Sequence, residues 1–327
     1  MRRLLARRII TLALLSIGGI TLLLAVPGLQ DVVAELRQVT GLWVIAALGL
    51  EIASCVSYVI VFRRFFEDLP PRLGRKVAWT EMGSGALLPG GGAGSLAVGG
   101  WLLHLAGMPT RQIVKRSSGL FFLTSAVNVA ALIAGGVLLF AEQPRGLSVL
   151  PLSVPPVALG FLALGATLAL PPLVARRPPR RRPRPWFDEL VDGVRVAENA
   201  LRHPTWREAG AVGYLAFDIA VLAATLAAVG YAPPLPVLLL GYIVGYLANL
   251  IPVPGGVGVL EGGLTGTLIL YGAPPVQAAA GVLVYHAIAF WIPSLGGLWA
   301  YARLRRDLAG PTARRSPDRW PDRVLTG

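Results

Sequence analysis

Three carboxylates stand in segments that are otherwise apolar enough to enter a membrane. Glu51 lies within 42–62, Asp218 lies within 209–230, and Glu261 follows a glycine-rich turn in a shorter apolar segment. An ionised carboxylate at the centre of a membrane helix costs about 2.5–3.5 kcal/mol on insertion scales, so such a group has to be paired, protonated or in contact with water. We interpret all three as candidates for binding a substrate headgroup or a proton. For Glu261, a structural hydrogen bond to the preceding turn is the alternative.

The remaining titratable groups do not form a catalytic pattern. Glu81 lies close to the predicted cytoplasmic surface, where a solvated position and a functional one are both open. No pair among His104, His203 and His286 has the spacing of metal ligands. No Ser-His-Asp triad, phosphate loop or dinucleotide fingerprint appears in a suitable context. The sequence therefore predicts that the chain is not an enzyme and holds no catalytic residue, metal or cofactor.

Two glycine-rich turns interrupt short apolar segments at matching positions. A shift of 165 residues aligns Pro89-Gly90-Gly91 with Pro254-Gly255-Gly256, and it aligns Gly107 with Gly272. Backbone groups of a broken helix are tolerated in a membrane only when they are buried in protein or line a wet cavity. The pattern predicts an internal repeat with a binding cavity at the turns; close packing through small residues is the alternative. The candidate binding residues of the turns are Pro89, Gly90, Gly91, Gly255, Gly256 and Gly258.

Apolar runs position these groups along the chain. Six of them are close to the roughly 20 residues that a helix needs to cross a membrane. They lie at 9–27, 42–62, 117–140, 148–174, 209–230 and 276–301. Between them, 77–106 and 235–271 each consist of two short apolar pieces joined by a glycine-rich turn. We predict an all-α polytopic membrane protein with six spanning helices and two re-entrant helical hairpins.

Arginine-rich loops orient this arrangement in the membrane. Basic residues concentrate in 2–8, 63–76, 111–116 and 303–306. The loop 272–275 carries no charge, and 31–37 is predicted to be an external loop. Because cytoplasmic loops are enriched in Lys and Arg, both termini are predicted to be cytoplasmic and the two hairpins to enter from opposite sides. Such an inverted repeat is typical of secondary transporters.

The order of the segments divides the chain into four parts. Residues 1–175 form an N-terminal membrane half and 207–305 a C-terminal one, each with one hairpin. Between them, 176–206 joins an Arg/Pro-rich linker to an amphipathic helix at 187–202. That helix is predicted to lie on the inner membrane surface with its apolar face in lipid. Residues 306–327 form a basic cytoplasmic tail.

Composition excludes the other broad classes of protein. Hydrophobic residues make up 54% of the chain and charged residues only 14%, against about 25% charged in soluble domains. A net charge of +13 would suggest nucleic acid by itself, but the arginines lie in short runs between apolar blocks. We therefore expect no nucleic-acid partner. The single cysteine, Cys55, excludes a disulfide framework.

The segment 251–262, Ile-Pro-Val-Pro-Gly-Gly-Val-Gly-Val-Leu-Glu-Gly, resembles the lysylphosphatidylglycerol synthase transmembrane region, a flippase-like family. Gly272-Ala273-Pro274 and Tyr285-His286 continue the resemblance, which covers roughly 10–305. The match of Tyr285 and His286 to the family's Tyr-basic pair implies that they contribute to substrate binding. Members often carry Arg where this chain has Leu260 and His286, which predicts either a weaker or a differently charged headgroup site.

The resemblance implies a polytopic protein of the bacterial inner membrane. Some members are associated with flipping of aminoacylated phospholipids and others with lipid-linked glycosylation. We therefore expect a lipid transporter that moves a phospholipid or a lipid-linked headgroup across the bilayer. Its expected partners are membrane lipids, either anionic or aminoacylated phospholipids or polyprenyl-linked lipids. The alternative is a non-catalytic membrane partner of a lipid-modifying or glycosyltransferase enzyme.

Overall fold

The computed structural model describes residues 27–37, 39–88, 92–142, 149–175, 185–251, 253 and 256–309, and this part of the chain is helical without strands. Its eleven α-helices are α1 (Pro27–Leu36), α2 (Gly41–Phe65), α3 (Pro71–Leu87), α4 (Gly92–Leu105), α5 (Thr110–Glu142), α6 (Val149–Ala175), α7 (Pro185–Arg202), α8 (Ala209–Ala228), α9 (Leu235–Tyr246), α10 (Val259–Leu270) and α11 (Pro275–Ala309). Of the predicted first span, 9–27, only Pro27 is described.

Five helices, α2, α5, α6, α8 and α11, are long and apolar enough to cross a membrane. They coincide with the last five spans predicted from the sequence. The longest of them extend well past the bilayer core: α5 has 33 residues, which is about 50 Å at 1.5 Å per residue, whereas the hydrocarbon is about 30 Å thick. The basic residues at 111–116 therefore lie in the first two turns of α5 and not in a separate loop.

A helix occupies the segment that was predicted to be an external loop at 31–37. α1 occupies Pro27–Leu36 of the described residues. Val32 is buried in a small cluster with Val229 and Ala280, so α1 packs on the end of α8 and on α11. The prediction of a loop was wrong because the segment is short and mixes charged with apolar residues, so no apolar run marks a helix in the sequence; Val32 is buried while Asp31 is exposed.

Each predicted hairpin contains two helices that pack against each other. α3 and α4 form the first pair; α9 and α10 form the second, with a 3-10 turn at Leu247–Leu250 after α9. α3 begins at Pro71, six residues before the predicted start of the hairpin at 77. Its 17 residues therefore reach about 26 Å, and its first turns carry Arg75, which the sequence had placed in a loop.

The repeat seen in the sequence recurs in the local structure. α5 begins at Thr110 and α11 at Pro275, 165 residues apart, and the turns before them have the same form. Gly107 has a φ of 92° and Gly272 a φ of 91°. The amide of Met108 donates to the Leu103 carbonyl, and the equivalent amide of Ala273 donates to the Leu268 carbonyl. Helices α2–α5 therefore correspond in order to α8–α11.

The two units defined by this repeat pack on each other through equivalent helices. α2 lies against α8, α3 against α11, and α5 against α9. The last two pairs are equivalent to each other, because α3 corresponds to α9 and α5 to α11, and the first joins two corresponding helices, α2 and α8. Glu51 of α2 and Asp218 of α8 thus come from equivalent helices that contact each other.

α7 is the amphipathic helix predicted at 187–202, and it packs on α5. Val191, Val194 and Ala197 are buried, and Gly193 lies against Ser118 of α5. These three apolar side chains therefore face protein, where the sequence predicted lipid. Amphipathicity alone does not distinguish the two surroundings, which is the reason for the difference. The preceding Arg/Pro-rich linker, 176–184, lies outside the described residues.

Candidate functional site

A cavity of about 290 Å³ lies between the two hairpins. Its wall includes residues on both sides of each glycine-rich turn: Leu88 and Gly92 in the first hairpin, and Val253 and Gly256 in the second. Side chains of α2, α8 and α11 complete the wall. The volume is near the lower end of the about 300–1,000 Å³ range of small-molecule sites, so it suits a polar headgroup better than a whole lipid.

Asp218 contributes a buried carboxylate to this cavity, and hydroxyl groups hold it in place. Tyr242 of α9 donates to Oδ2 at 2.5 Å, and Tyr285 of α11 donates to Oδ1 at 2.9 Å. The Tyr242 ring also stacks on Tyr246, with centroids 4.9 Å apart. Three helices therefore fix the position of Asp218 without any cation, which leaves its charge uncompensated by these partners.

Glu51 is the second carboxylate at the cavity wall. The Cys55 thiol donates to its Oε1 over 3.6 Å. Its Oε2 is buried and has no hydrogen-bond partner within the described part of the chain. Buried polar atoms in native proteins are nearly always satisfied, so an exception calls for an explanation. An oxygen in this position can accept a hydrogen bond from a bound ligand.

The ionisable side chains at the cavity wall are mainly acidic. The described residues that line it include Glu51, Asp218 and His286 but no lysine or arginine. Pro293 of α11 also lies at the wall; since it has no N–H, the helical carbonyl four residues earlier, at Ala289, lacks its usual donor. Ala289 is itself a wall residue. The cavity thus offers more hydrogen-bond acceptors than positive donors.

Glu261 and His286 meet at the edge of the cavity. His286 Nδ1 lies 2.6 Å from Glu261 Oε1, and the Gly258 amide donates to Glu261 Oε2 at 2.6 Å. Glu261 therefore caps its own helix, α10, and orients the His286 ring from the neighbouring helix. His286 lines the cavity whereas Glu261 does not. The geometry places His286 at the cavity wall and Glu261 behind it, in contact with the His286 ring.

The other candidate residues fall into three positions. Gly256 lines the cavity with a φ of 66°. Gly258 has a φ of 83° and precedes α10, and Tyr285 is fully buried beside Asp218 instead of lining the wall. The candidates that lie outside the described residues are Pro89, Gly90, Gly91 and Gly255.

Glu81 is buried, which excludes the solvated position that the sequence left open. Only 4% of the residue is exposed, the Tyr58 hydroxyl donates to Oε1 at 2.8 Å, and the carboxylate lies against Gly99 of α4. Glu81 does not line the cavity, but Tyr58 does. The carboxylate thus links the first hairpin to α2.

Of the five tyrosines near the cavity, the sequence analysis named Tyr285 and missed the other four. Tyr58, Tyr214 and Tyr246 line the cavity, while Tyr242 and Tyr285 bind Asp218. Tyrosines of membrane proteins are enriched at the two interfaces. All five stand within apolar helices, and this unusual depth was the signal that could have found them.

Comparison with known proteins places this arrangement in a family. The model of a family described as the lysylphosphatidylglycerol synthase TM region matches residues 9–297, which include both hairpins and every described residue of the cavity wall. No curated protein matches the chain. The extent of the family match confirms the resemblance seen in segment 251–262. The chain belongs to the lysylphosphatidylglycerol synthase TM region family and is a multi-pass membrane protein.

Proposed function

We propose that the chain moves a lipid across the inner membrane, with the headgroup passing through the cavity between the hairpins. The position of that cavity carries the proposal: it is bounded by both glycine-rich turns and by polar side chains of α2, α8 and α11. A headgroup bound there would leave its acyl chains outside the protein, in the bilayer. The proposal contains no chemical step, and the chain acts in it as a transporter and not as an enzyme.

The repeated units support alternating access as the mechanism. The chain crosses the membrane at α2, returns to the same side after the first hairpin, and then crosses at α5 and α6 before α8 begins. This odd number of crossings gives α8 the orientation opposite to that of α2, and thus predicts an inverted repeat. Rocking of one unit against the other, around contacts such as α2 with α8, would open the cavity to each side in turn.

The charges at the wall favour a headgroup that carries an amine. Glu51 Oε2 lacks a partner among the described residues, and Asp218 is held by hydroxyls alone. An ammonium group satisfies both carboxylates, whereas a bare anionic headgroup would meet like charges. In this proposal Glu51 and Asp218 bind the amine, and His286 contacts the remaining polar part of the headgroup.

Lipid movement in reconstituted vesicles tests the proposal. Vesicles containing the full chain should flip a fluorescent amine-bearing phospholipid faster than protein-free vesicles do. Glu51→Gln and Asp218→Asn should each slow this at least about tenfold, the equivalent of 1.4 kcal/mol and less than one hydrogen bond to a charged group contributes. Glu189→Gln is the matched control, because Glu189 is buried outside the cavity and pairs with Arg111 at 2.5 Å.

Two results would contradict the proposal. One is lipid movement by the wild-type chain no faster than in empty vesicles, which would favour the non-catalytic membrane partner. Thermal melting first shows that all three variants keep the wild-type fold. The other contradicting result is then equal slowing by Glu189→Gln and by the two cavity variants, since the cavity carboxylates would have no specific role.

The proposed orientation has its own test. Thr110 and Pro274 are exposed residues at equivalent ends of the two hairpins. In a Cys55→Ala background, Thr110→Cys should react with an impermeant thiol reagent from the cytoplasmic side and Pro274→Cys from the outer side. Reaction of both from one side would exclude the inverted repeat. That result would concern only the orientation of the hairpins, and the proposed role of the cavity carboxylates would still stand.

A further inference from the structure

A second cavity, of about 300 Å³, lies where α2 ends and α3 begins. Its polar wall consists of Arg63, Arg75 and Arg207, and its aromatic wall of Trp79 and Trp206. No carboxylate is among the described residues that line it. We call this cavity the basic groove. It differs from the cavity between the hairpins in the sign of its charge and in its position at the arginine-rich ends of the helices.

The arginines of the basic groove have few acceptors of their own. Arg63 Nε is buried without a hydrogen-bond partner in the described part of the chain. Arg63 and Arg75 form no salt bridge with any described residue. Arg207 has only a long contact to Glu67, at 3.7 Å. The neighbouring Arg64 differs, because Glu208 pairs with it at 2.6 Å. The groove therefore presents guanidinium donors suited to an anion.

An exposed apolar stripe continues from the basic groove along α2. Val56 belongs to the groove, and Ile52, Leu48 and Ile45 follow it at helical spacing, each between 38% and 68% exposed. Ile52 stands eleven residues before Arg63 on α2, a rise of about 16 Å, close to the about 15 Å of hydrocarbon in one leaflet. A phosphate held at the arginines would thus let acyl chains cover Val56 and Ile52 as far as the middle of the bilayer.

The two tryptophans of the basic groove indicate its depth in the membrane. Trp206 is 70% exposed, and Trp79 packs against Gly296 of α11. Tryptophan is enriched at the level of lipid headgroups, where its ring is apolar and its N–H is a donor. The groove is therefore placed at a membrane interface, which is the cytoplasmic one in the proposed orientation.

We propose that the basic groove binds the phosphate of an anionic phospholipid from this leaflet, with the acyl chains lying along Val56 and Ile52 of the stripe. The arginines bind the phosphate oxygens, and Trp206 covers the glycerol region. This site is separate from the cavity between the hairpins and does not depend on the transport activity proposed for that cavity. The arginines of the groove select a negatively charged lipid, whereas the wall of the cavity between the hairpins carries carboxylates and would repel one.

Lipid binding to the purified full chain in a neutral detergent tests the site. Native mass spectrometry should show retention of dioleoylphosphatidylglycerol in preference to dioleoylphosphatidylcholine. In Arg63→Gln/Arg75→Gln the apparent affinity for phosphatidylglycerol should fall at least about tenfold, since each arginine contributes a charge-assisted hydrogen bond. A second variant, Arg75→Gln/Trp206→Ala, should show the same direction of change; both of its side chains are exposed, so folding is preserved.

Arg303→Gln is the matched control, because Arg303 also lies next to a tryptophan, 4.2 Å from the Trp299 ring centroid, but outside the groove. It should bind phosphatidylglycerol as the wild type does. Equal binding of the two lipids by the wild type, unchanged binding in both groove variants, or an equal loss in Arg303→Gln would overturn the proposal. Displacement of phosphatidylglycerol by an equal concentration of inorganic phosphate would also overturn it, because the site would then be a bare anion site.

Discussion

The two hairpins have the same order of helices and turns, but they differ in which helix carries the large side chain at the contact between the paired helices. In the first, the large side chain is Glu81 of α3, and it lies against Gly99 of α4. In the second, the small residue is Gly245 of α9, and a Cβ there would lie 2.7 Å from Leu264 of α10. Gly99 and Leu264 occupy matching positions, 165 residues apart. The large partner therefore belongs to the earlier helix in the first hairpin and to the later helix in the second. On the earlier helices the contact is shifted by one residue, because Gly245 matches Thr80 and Tyr246 matches Glu81.

This difference separates the features that the two units share from those in which they differ. Helix order and the turn before α5 and α11 are the same in both units. The side chains between the paired helices differ, since close packing needs only that a large residue face a small one. Each hairpin also ties one carboxylate to a neighbouring helix, but Glu81 precedes its turn and binds Tyr58, whereas Glu261 follows its turn and contacts His286.

The largest effect is expected when the second hairpin's side chain is placed in the first. Gly99→Leu drives a branched side chain into Glu81, which adds overpacking to the loss of the hydrogen bond from Tyr58. Together these should lower the free energy of unfolding by about 3 kcal/mol or more. In Gly99→Leu/Glu81→Gly the large residue is on α4 and the small one on α3, so the two helices can pack again. This double variant should recover part of the lost stability. Thermal melting in detergent measures both; a double variant no more stable than Gly99→Leu would contradict this pairing of a large with a small residue.

A smaller effect is expected from the polar link of the first hairpin alone. Tyr58→Phe leaves Glu81 Oε1 buried without its donor at 2.8 Å, which should cost about 1–3 kcal/mol of stability. Tyr58→Phe/Glu81→Leu removes both polar partners and should be closer to the wild type. Thermal melting compares the two variants. If Tyr58→Phe melted at the wild-type temperature, Glu81 would be satisfied in another way, and the hairpin would not depend on α2.

The second hairpin should respond differently, because its carboxylate is close to the cavity. Glu261→Ala removes the acceptor for the Gly258 amide, and loss of such a cap costs about 0.5–2 kcal/mol. Glu261→Gln keeps an acceptor but removes the charge beside His286, so it should melt near the wild type while lipid movement slows. Glu81→Gln, the matched change in the first hairpin, should leave lipid movement unchanged. Equal transport in the two Gln variants would remove the functional distinction between the hairpins.

Long apolar runs made the spans predictable, and isolated charges within them identified part of the site. α2, α5, α6, α8 and α11 follow from segment length and hydropathy, since a membrane helix needs about 20 apolar residues whatever its neighbours are. Glu51 and Asp218 stand out for the same reason, because a charge at that depth is costly. The shift of 165 residues likewise located both hairpins and the turns at Gly107 and Gly272.

Contacts between helices could not be predicted in the same way. Glu261 lies 25 residues from His286, and Asp218 lies 67 residues from Tyr285; both pairs depend on how α11 rotates against α10 and α8. The basic groove was missed because Arg63 and Arg75 have the sequence pattern of ordinary cytoplasmic charges. Their convergence with Trp206 requires α2, α3 and the start of α8 to meet, which no local pattern indicates.

The smallest difference between the units is expected at the glycine turns, where the two copies match. Gly107 and Gly272 have φ values of 92° and 91°, a region that costs a residue with a Cβ roughly 1–2 kcal/mol. Gly107→Ala and Gly272→Ala should therefore destabilise the protein by similar amounts, and the double variant should show their sum, since distant sites add. Thermal melting of the three variants measures this. Unequal losses of stability would show that the two turns differ in strain. The hairpins would then differ in their backbone as well as in their side chains.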